Sequence, residues 1–276
     1  MTTYVHGYDG RETQRLQDQA ATLVELLHGD TAYQAGSTVL EAGCGVGAQT
    51  MTLAAHSPHA AITSIDISHD SVEQARTAVS AAGFSNVEVR QADIFALPFD
   101  DASFDHVFVC FVLEHLPHPV NALSALQRVL KPGGTITVVE GDHGSTFFHP
   151  DSAFAQRAVQ CQIDLQSAAN GNALIGRQLY PLLTAAGFGE VRVSPRMVYV
   201  DGSRPDLING FTKNTFTAMI QGVKQPAMDA GLMTELDFDR GIADLFRTAA
   251  ADGVFSYTFF KAVGLRPRPG RPDPEM

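Results

Sequence analysis

Short apolar runs alternate with amphipathic stretches over the first half of the chain. "STVLEAG" reads as a buried strand, and a glycine turn and a helix from Gln49 to His56 follow it. "AAITSIDIS" is a second strand, and "DSVEQARTAVSAAG" a helix closed by Gly83. "NVEVRQADI" and "FDHVFVCFVL" give a third and a fourth strand. "VNALSALQRVL" is a helix stopped by "KPGG", and "TITVVEG" is a fifth strand ending near Glu140. Strands alternating with helices predict a parallel, doubly wound α/β sheet. Upstream, "DGRE" forms a helix-start box with Asp9 as cap and Glu12 three residues on, and Leu16, Ala20, Leu23, Val24 and Leu27 recur at helical spacing. From about 152 the pattern changes: helices over 152–169 and 177–186, a strand in "FGEVRVSPRMVYV", mostly helix over 205–250, and a last strand in "VFSYTFFKAVGL".

The "RPRPGRPDPEM" end is too rich in proline and too poor in apolar residues to fold, and is expected to be a disordered tail over 265–276. There is no internal repeat. At 276 residues and 45% hydrophobic content the chain can bury a sizeable core. A net charge of −11 argues against a nucleic-acid partner. Cys44, Cys110 and Cys161 are odd in number with no CxxC, which suits reduced thiols in the cytoplasm. A polar start with no signal peptide, and no apolar run long enough to span a bilayer, argue against a membrane role.

"VLEAGCGVGA" places Gly43, Gly45 and Gly47 between strand and helix, where only glycine lets the backbone turn tightly and approach a ligand. The stretch also satisfies the loose dinucleotide pattern, so a nicotinamide-dependent oxidoreductase is an alternative. Glu41, just before the glycines, would serve a second phosphate poorly. Asp66 ends the second strand, where a carboxylate can accept from both ribose hydroxyls. Asp93 ends the third, where an acid suits an adenine amino group. A nucleoside-binding module without catalysis is a further alternative.

With these residues in hand, the chain resembles the class I S-adenosylmethionine-dependent methyltransferases of small-molecule, secondary-metabolite type. "LEAGCGVG", "SIDIS", "QADIFALPF", "FDHVFVCFVLEHLPHP" and "RVLKPGGTITVVE" look like that family's motifs, in order, over about 37–142. The resemblance implies a Rossmann-like seven-stranded sheet whose last strand is antiparallel, with an N-terminal lid or helix over 1–36, a methyltransferase domain over 37–264 and a helical substrate cap at about 200–252. It implies S-adenosylmethionine as cofactor, held by Glu41, Gly43, Gly45 and Gly47 at the methionine end. Asp66 and Ile67 would take the ribose and one adenine face, and Asp93 and Ile94 the adenine edge and other face. Cys110, Phe111 and His115 would line the fourth strand's cofactor and substrate side, and Tyr4 or Tyr8 would cover the sulfonium or carboxylate end. Core packing of Cys110 and Phe111 stays open, as does exchange of the N-terminal helix in a homo-oligomer.

"EGDHGSTFFHP" follows the fifth strand with two carboxylates and two histidines. It reads as a base, a positioning element or a polar loop with local hydrogen bonds; His143 is the preferred base, because its ordinary pKa lies near operating pH, with Asp142 or Glu140 orienting it. A metal site would need three or four converging ligands; Glu140, Asp142, His143 and His149 are candidates, but the two histidines are not at helical i,i+4 spacing, so none is assigned. Phe147, Arg177, Phe211 and Phe216 are candidates to line the substrate. The Phe- and Met-rich stretch from 205 to 238 suggests a lipophilic acceptor of terpenoid, prenylated aromatic or polyketide type, methylated on oxygen or carbon. For any one of its residues, packing in the core of the insertion is the slightly favoured reading.

Overall fold

A computed structural model describes residues 22–268. Seven strands form one sheet in the order β3-β2-β1-β4-β5-β7-β6. They are β1 (Thr38–Ala42), β2 (Ala61–Asp66), β3 (Val87–Gln91), β4 (Phe104–Cys110), β5 (Leu130–His149), β6 (Gly189–Val200) and β7 (Val254–Leu265). Neighbours among the first five pair in parallel, and β7 lies antiparallel between β5 and β6. The expected topology is therefore present. The near-continuous apolar runs of β1 and β4 follow from burial on both faces, with Val39, Leu40, Val107, Phe108 and Val109 fully covered.

Helices pack on both sides. On one face lie α4 (Pro119–Val129) and α6 (Leu179–Ala185), whose Leu123, Leu126, Leu179 and Leu183 meet Ile136, Val138 and Ala262. Against the other lie α1 (22–28), α2 (Ala48–His56), α5 (Ala153–Ala168) and the helices inserted between β6 and β7. α3 (His69–Ala81) starts where Ser68 Oγ accepts the Ser71 N–H at 3.2 Å, and stops at Gly83 with φ +75°. The insertion comprises α7 (Pro205–Leu207), a π-helical stretch Ile208–Thr217, α8 (Ala218–Gly222), α9 (Lys224–Asp229) and α10 (Glu235–Arg247). The π stretch puts Phe211 and Phe216, five apart, toward one aromatic cluster with Phe255 and Tyr257.

One element departs from expectation. β5 does not end near Glu140 but runs on to His149, because the twelve-residue β7 pairs with it as far as His149↔Val254. The register breaks between Asp142 and Phe147. There the chain bulges out, and Ser145 Oγ and Thr146 Oγ1 donate to the carbonyls of Asp142 (2.7 Å) and His143 (2.8 Å). The Asp9 cap lies outside the described residues, as does most of the expected tail.

Candidate active site at the carboxyl ends of the strands

The loop from Gly43 to Gly47 leaves β1 and enters α2 with φ of +80°, +52° and +87° at its three glycines. A side chain at Gly43 would run into Val112, and one at Gly47 would come within 3.2 Å of Ala75. At Gly45 nothing lies within 4 Å, so this backbone is open to a ligand. Its N–H is aimed by Asp66, whose Oδ2 accepts it at 2.8 Å. Asp66 Oδ1 accepts the Ser68 N–H at 2.9 Å. A carboxylate has about four lone-pair sites, so each oxygen keeps one for a ribose hydroxyl. Ile67, next in the chain, is 64% exposed, a large apolar side chain held at the surface beside that carboxylate.

The neighbouring strand ends carry the other two acids. Glu41 is buried, and its Oε2 accepts from Thr50 Oγ1 and Ser64 Oγ, both at 2.6 Å. Burial raises its pKa to about 7, against the opposing effect of those hydroxyls. Asp93 is half-buried and accepts the Phe95 N–H at 2.8 Å, with Ile94 half-buried beside it. Gln91 Nε2 bonds the Ile67 carbonyl at 3.0 Å and ties the ends of β2 and β3 together.

At the end of β4, Cys110 is a buried thiol whose pKa burial pushes well up. Phe111 follows with φ +57°, a strained conformation for a bulky residue. Glu140 braces this turn, as its Oε1 accepts the N–H groups of Val112 (2.9 Å) and Leu113 (2.7 Å). Burial and the nearby Glu114 push the Glu140 carboxyl well above the usual range. His115 Nε2 stands 3.6 Å from Glu114 Oε1.

The expected support for His143 is corrected here. Asp142 is held by Arg177, with Nε to Oδ2 and Nη2 to Oδ1 both at 2.7 Å, a two-pronged pair on the other side of the strand. Glu140 turns to the backbone after β4. The group that reaches the His143 ring is Tyr257 of β7, with Oη 2.8 Å from Nδ1. His143 and Tyr257 lie one step beyond the Asp142↔Thr258 pair, where the bulge begins. The His143 N–H is also fixed, donating to the Ala173 carbonyl at 2.9 Å.

Of the candidate substrate residues, Phe211 and Phe216 come together with ring centroids 6.5 Å apart, and Phe111 meets Phe259 of the same cluster at 5.5 Å. Phe211 and Phe216 are 1% and 2% exposed and pack against Phe255 and Tyr257 as core. Phe147 is 54% exposed, across from Ser256. Arg177 is committed to Asp142. Tyr8 and Tyr4 lie outside the described residues. Among the described residues no group of three or more His, Cys, Asp or Glu is placed to hold a metal ion, and no helix is long and apolar enough to cross a membrane.

A family model described as a methyltransferase domain matches residues 40–138, the span that carries the glycine loop and the strand-end acids. Over those residues the chain carries a methyltransferase domain. Among curated relatives, an uncharacterized 37.1 kDa protein of a Streptomyces fradiae transposon is 37% identical over 190 residues, 68% of this chain and 54% of that protein. A Staphylococcus aureus demethylmenaquinone methyltransferase is 36% identical over 112 residues, 40% of this chain and 46% of that protein. The chain thus spans about half the length of the curated relatives it matches. In fold, it is similar to Haemonchus contortus phosphoethanolamine N-methyltransferase 2, solved with S-adenosylhomocysteine (TM-score 0.56, 15% identity, 91% of this chain and 53% of that one).

The open Gly45 backbone, half-engaged Asp66 and exposed Ile67 of this domain fit a nucleoside such as that of S-adenosylmethionine. Tyr257 was not legible as the partner of His143. "FSYTFF" reads as core strand, and a lone tyrosine there carries no spacing signal toward a histidine 114 residues away.

Proposed function

We propose that this methyltransferase acts on a small, lipophilic metabolite of terpenoid, prenylated aromatic or polyketide type, on oxygen or carbon. The Asp66 cradle carries the cofactor half of this reading. Its two oxygens are already oriented by Gly45 and Ser68 N–H groups, so no reorganisation is needed to receive a ribose diol. Ile67 and Ile94 would cover the two adenine faces and Asp93 its amino edge. Glu41 and the glycine loop would hold the methionine end. Bound there, S-adenosylmethionine supplies a methyl group already activated by its sulfonium.

The protein's own task is alignment and exclusion of water. Glu140 fixes the strained Phe111 turn, at the crevice outside the carboxyl ends of the strands where open α/β sheets bind ligands. The acceptor would lie beyond that turn, toward His143, and the N-terminal segment over 1–36 would close the crevice. The apolar cap at about 200–252 supports a lipophilic acceptor. The name of the demethylmenaquinone methyltransferase supports a small-molecule one. The test is incubation with isotope-labelled S-adenosylmethionine and a panel of these acceptor classes, read by mass spectrometry. Labelled product from one class supports the reading. Transfer only to short polar amines would contradict it.

A further inference from the structure

Two glutamines lie on the buried face of α5, Gln162 at 0% and Gln166 at 1% exposure. Their neighbours on that face are Ala155, Ala158, Val159 and Cys161, so both amides need partners to offset their burial. Their bonds run toward one carboxylate. Gln166 Nε2 donates to the Glu114 carbonyl at 3.0 Å and to Glu114 Oε2 at 3.1 Å, and Gln162 Nε2 donates to Gln166 Oε1 at 3.1 Å. A carbonyl can only accept, so the Gln166 NH₂ must face Glu114 and its oxygen must face Gln162. Asn172 N–H also donates to the Glu114 carbonyl, at 2.7 Å. The other oxygen, Glu114 Oε1, accepts no hydrogen bond among the described residues, and the side chain is 12% exposed. The turn that carries it lies between the two halves of the crevice. Val112 packs so closely on the glycine loop that a Cβ at Gly43 would come within 2.3 Å of it. Phe111 meets Phe259 of β7 on the far side, with ring centroids 5.5 Å apart. Glu140, which braces this turn, is fully buried, and its Oε2 has no hydrogen-bond partner among the described residues. Burial and the nearby Glu114 hold that carboxyl well above the usual range, so Glu140 adds no second charge beside Glu114.

We propose that Glu114 is the acceptor-site carboxylate: the Gln162–Gln166 relay holds its Oε2, and its Oε1 accepts a hydrogen bond from a hydroxyl group of the methyl acceptor, beside the sulfonium. This rests on the methyl-transfer reading and names the reacting group of the acceptor. The relay presets the carboxylate, so its side chain needs no ordering when the acceptor arrives. At this low exposure water screens the carboxylate little, which strengthens both its bond to an O–H and its attraction to a sulfonium. The bond fixes which oxygen of a larger acceptor meets the methyl group. A methylated product has no O–H to give, leaves Oε1 without a donor, and is held more weakly than the acceptor.

The experiment is titration calorimetry of the full chain with two probes, S-adenosylhomocysteine and sinefungin. Sinefungin carries a protonated amine on the carbon that replaces the sulfur, so it puts N–H donors and a positive charge where the methyl group meets its acceptor. The parent is expected to bind sinefungin about tenfold or more tightly than S-adenosylhomocysteine. Glu114→Gln keeps the shape of the side chain and an oxygen for Gln166. In it the preference is expected to fall to about threefold or less, while affinity for S-adenosylhomocysteine stays within about threefold of the parent. A parent that binds both probes equally overturns the proposal, and this decides it even where Glu114→Gln does not fold. A preference that survives in folded Glu114→Gln overturns it too, as does an equal loss of both probes, which is what a merely structural role in the turn produces. A parent that binds neither probe sinks the methyl-transfer reading and the proposal with it. With labelled S-adenosylmethionine and the acceptor panel, transfer to compounds whose hydroxyls are all blocked as methyl ethers overturns the assignment of a hydroxyl.

Discussion

Replacing Asp66 by Asn leaves the shape of the side chain and removes one acceptor oxygen. Both oxygens are in use: Oδ2 accepts from Gly45 N at 2.8 Å and Oδ1 from Ser68 N at 2.9 Å. In either amide orientation one of these N–H donors meets an NH₂ group, so a bond is lost and the loop is pushed away from its cradle. One charge-assisted bond is worth about 1.5–3 kcal/mol, which weakens S-adenosylhomocysteine binding roughly 10- to 150-fold. Asp66→Ala forfeits both ribose bonds, about 3–6 kcal/mol, and weakens it beyond about 100-fold. Asn is therefore expected to be a severe change here, not a mild one. Titration calorimetry on the parent and both variants measures this, with melting curves to confirm that each is folded. Affinity in Asp66→Asn within threefold of the parent would refute the cradle geometry.

Three further outcomes follow from buried groups. Glu41 keeps its proton to about pH 7 in the folded state and near 4.5 otherwise, so stability falls as pH rises through that window, by about 3 kcal/mol; Glu41→Gln should flatten the melting temperature between pH 5 and pH 8, and an equal slope in both proteins counts against the burial effect. Lys261 ties residues 27–31 to β7 through the Leu27 carbonyl (3.2 Å), Asp30 (2.5 Å) and Thr31 (2.5 Å); Lys261→Met should cost about 2 kcal/mol, or roughly 4–8 °C of Tm, and an unchanged Tm would contradict the tie. Phe216→Ala should cost about 3–5 kcal/mol in denaturant unfolding, because Phe216 is core; a stable variant whose only defect is acceptor binding would return it to the substrate wall.

The sheet was readable because its signals are local. β1 and β2 are short, largely apolar runs closed by Gly43 and by Asp66, β3 alternates Val87 and Val89 with polar residues, and β4 ends in the apolar run from Val107 to Cys110. β5 beyond Glu140 was not readable, since Gly141 and Gly144 break its alternation and only pairing with β7 more than 100 residues later makes it a strand. For the same reason the "EGDHGSTFFHP" stretch looked like a loop in which Asp142 or Glu140 would serve His143. Alternation along the strand instead sends Asp142 to Arg177, and the bulge turns His143 to Tyr257. The π-helical stretch escaped too, because its five-residue repeat of Phe211 and Phe216 falls between the periods that local patterning detects.

The central claim is that the glycine loop and Asp66 receive the nucleoside of S-adenosylmethionine and not that of a nicotinamide dinucleotide. Calorimetric titration of the full chain with S-adenosylhomocysteine and, separately, with NADH tests it most directly. One-site binding of S-adenosylhomocysteine at micromolar concentration, with no heat from NADH, is the predicted result. Binding of NADH with none of S-adenosylhomocysteine would contradict the account.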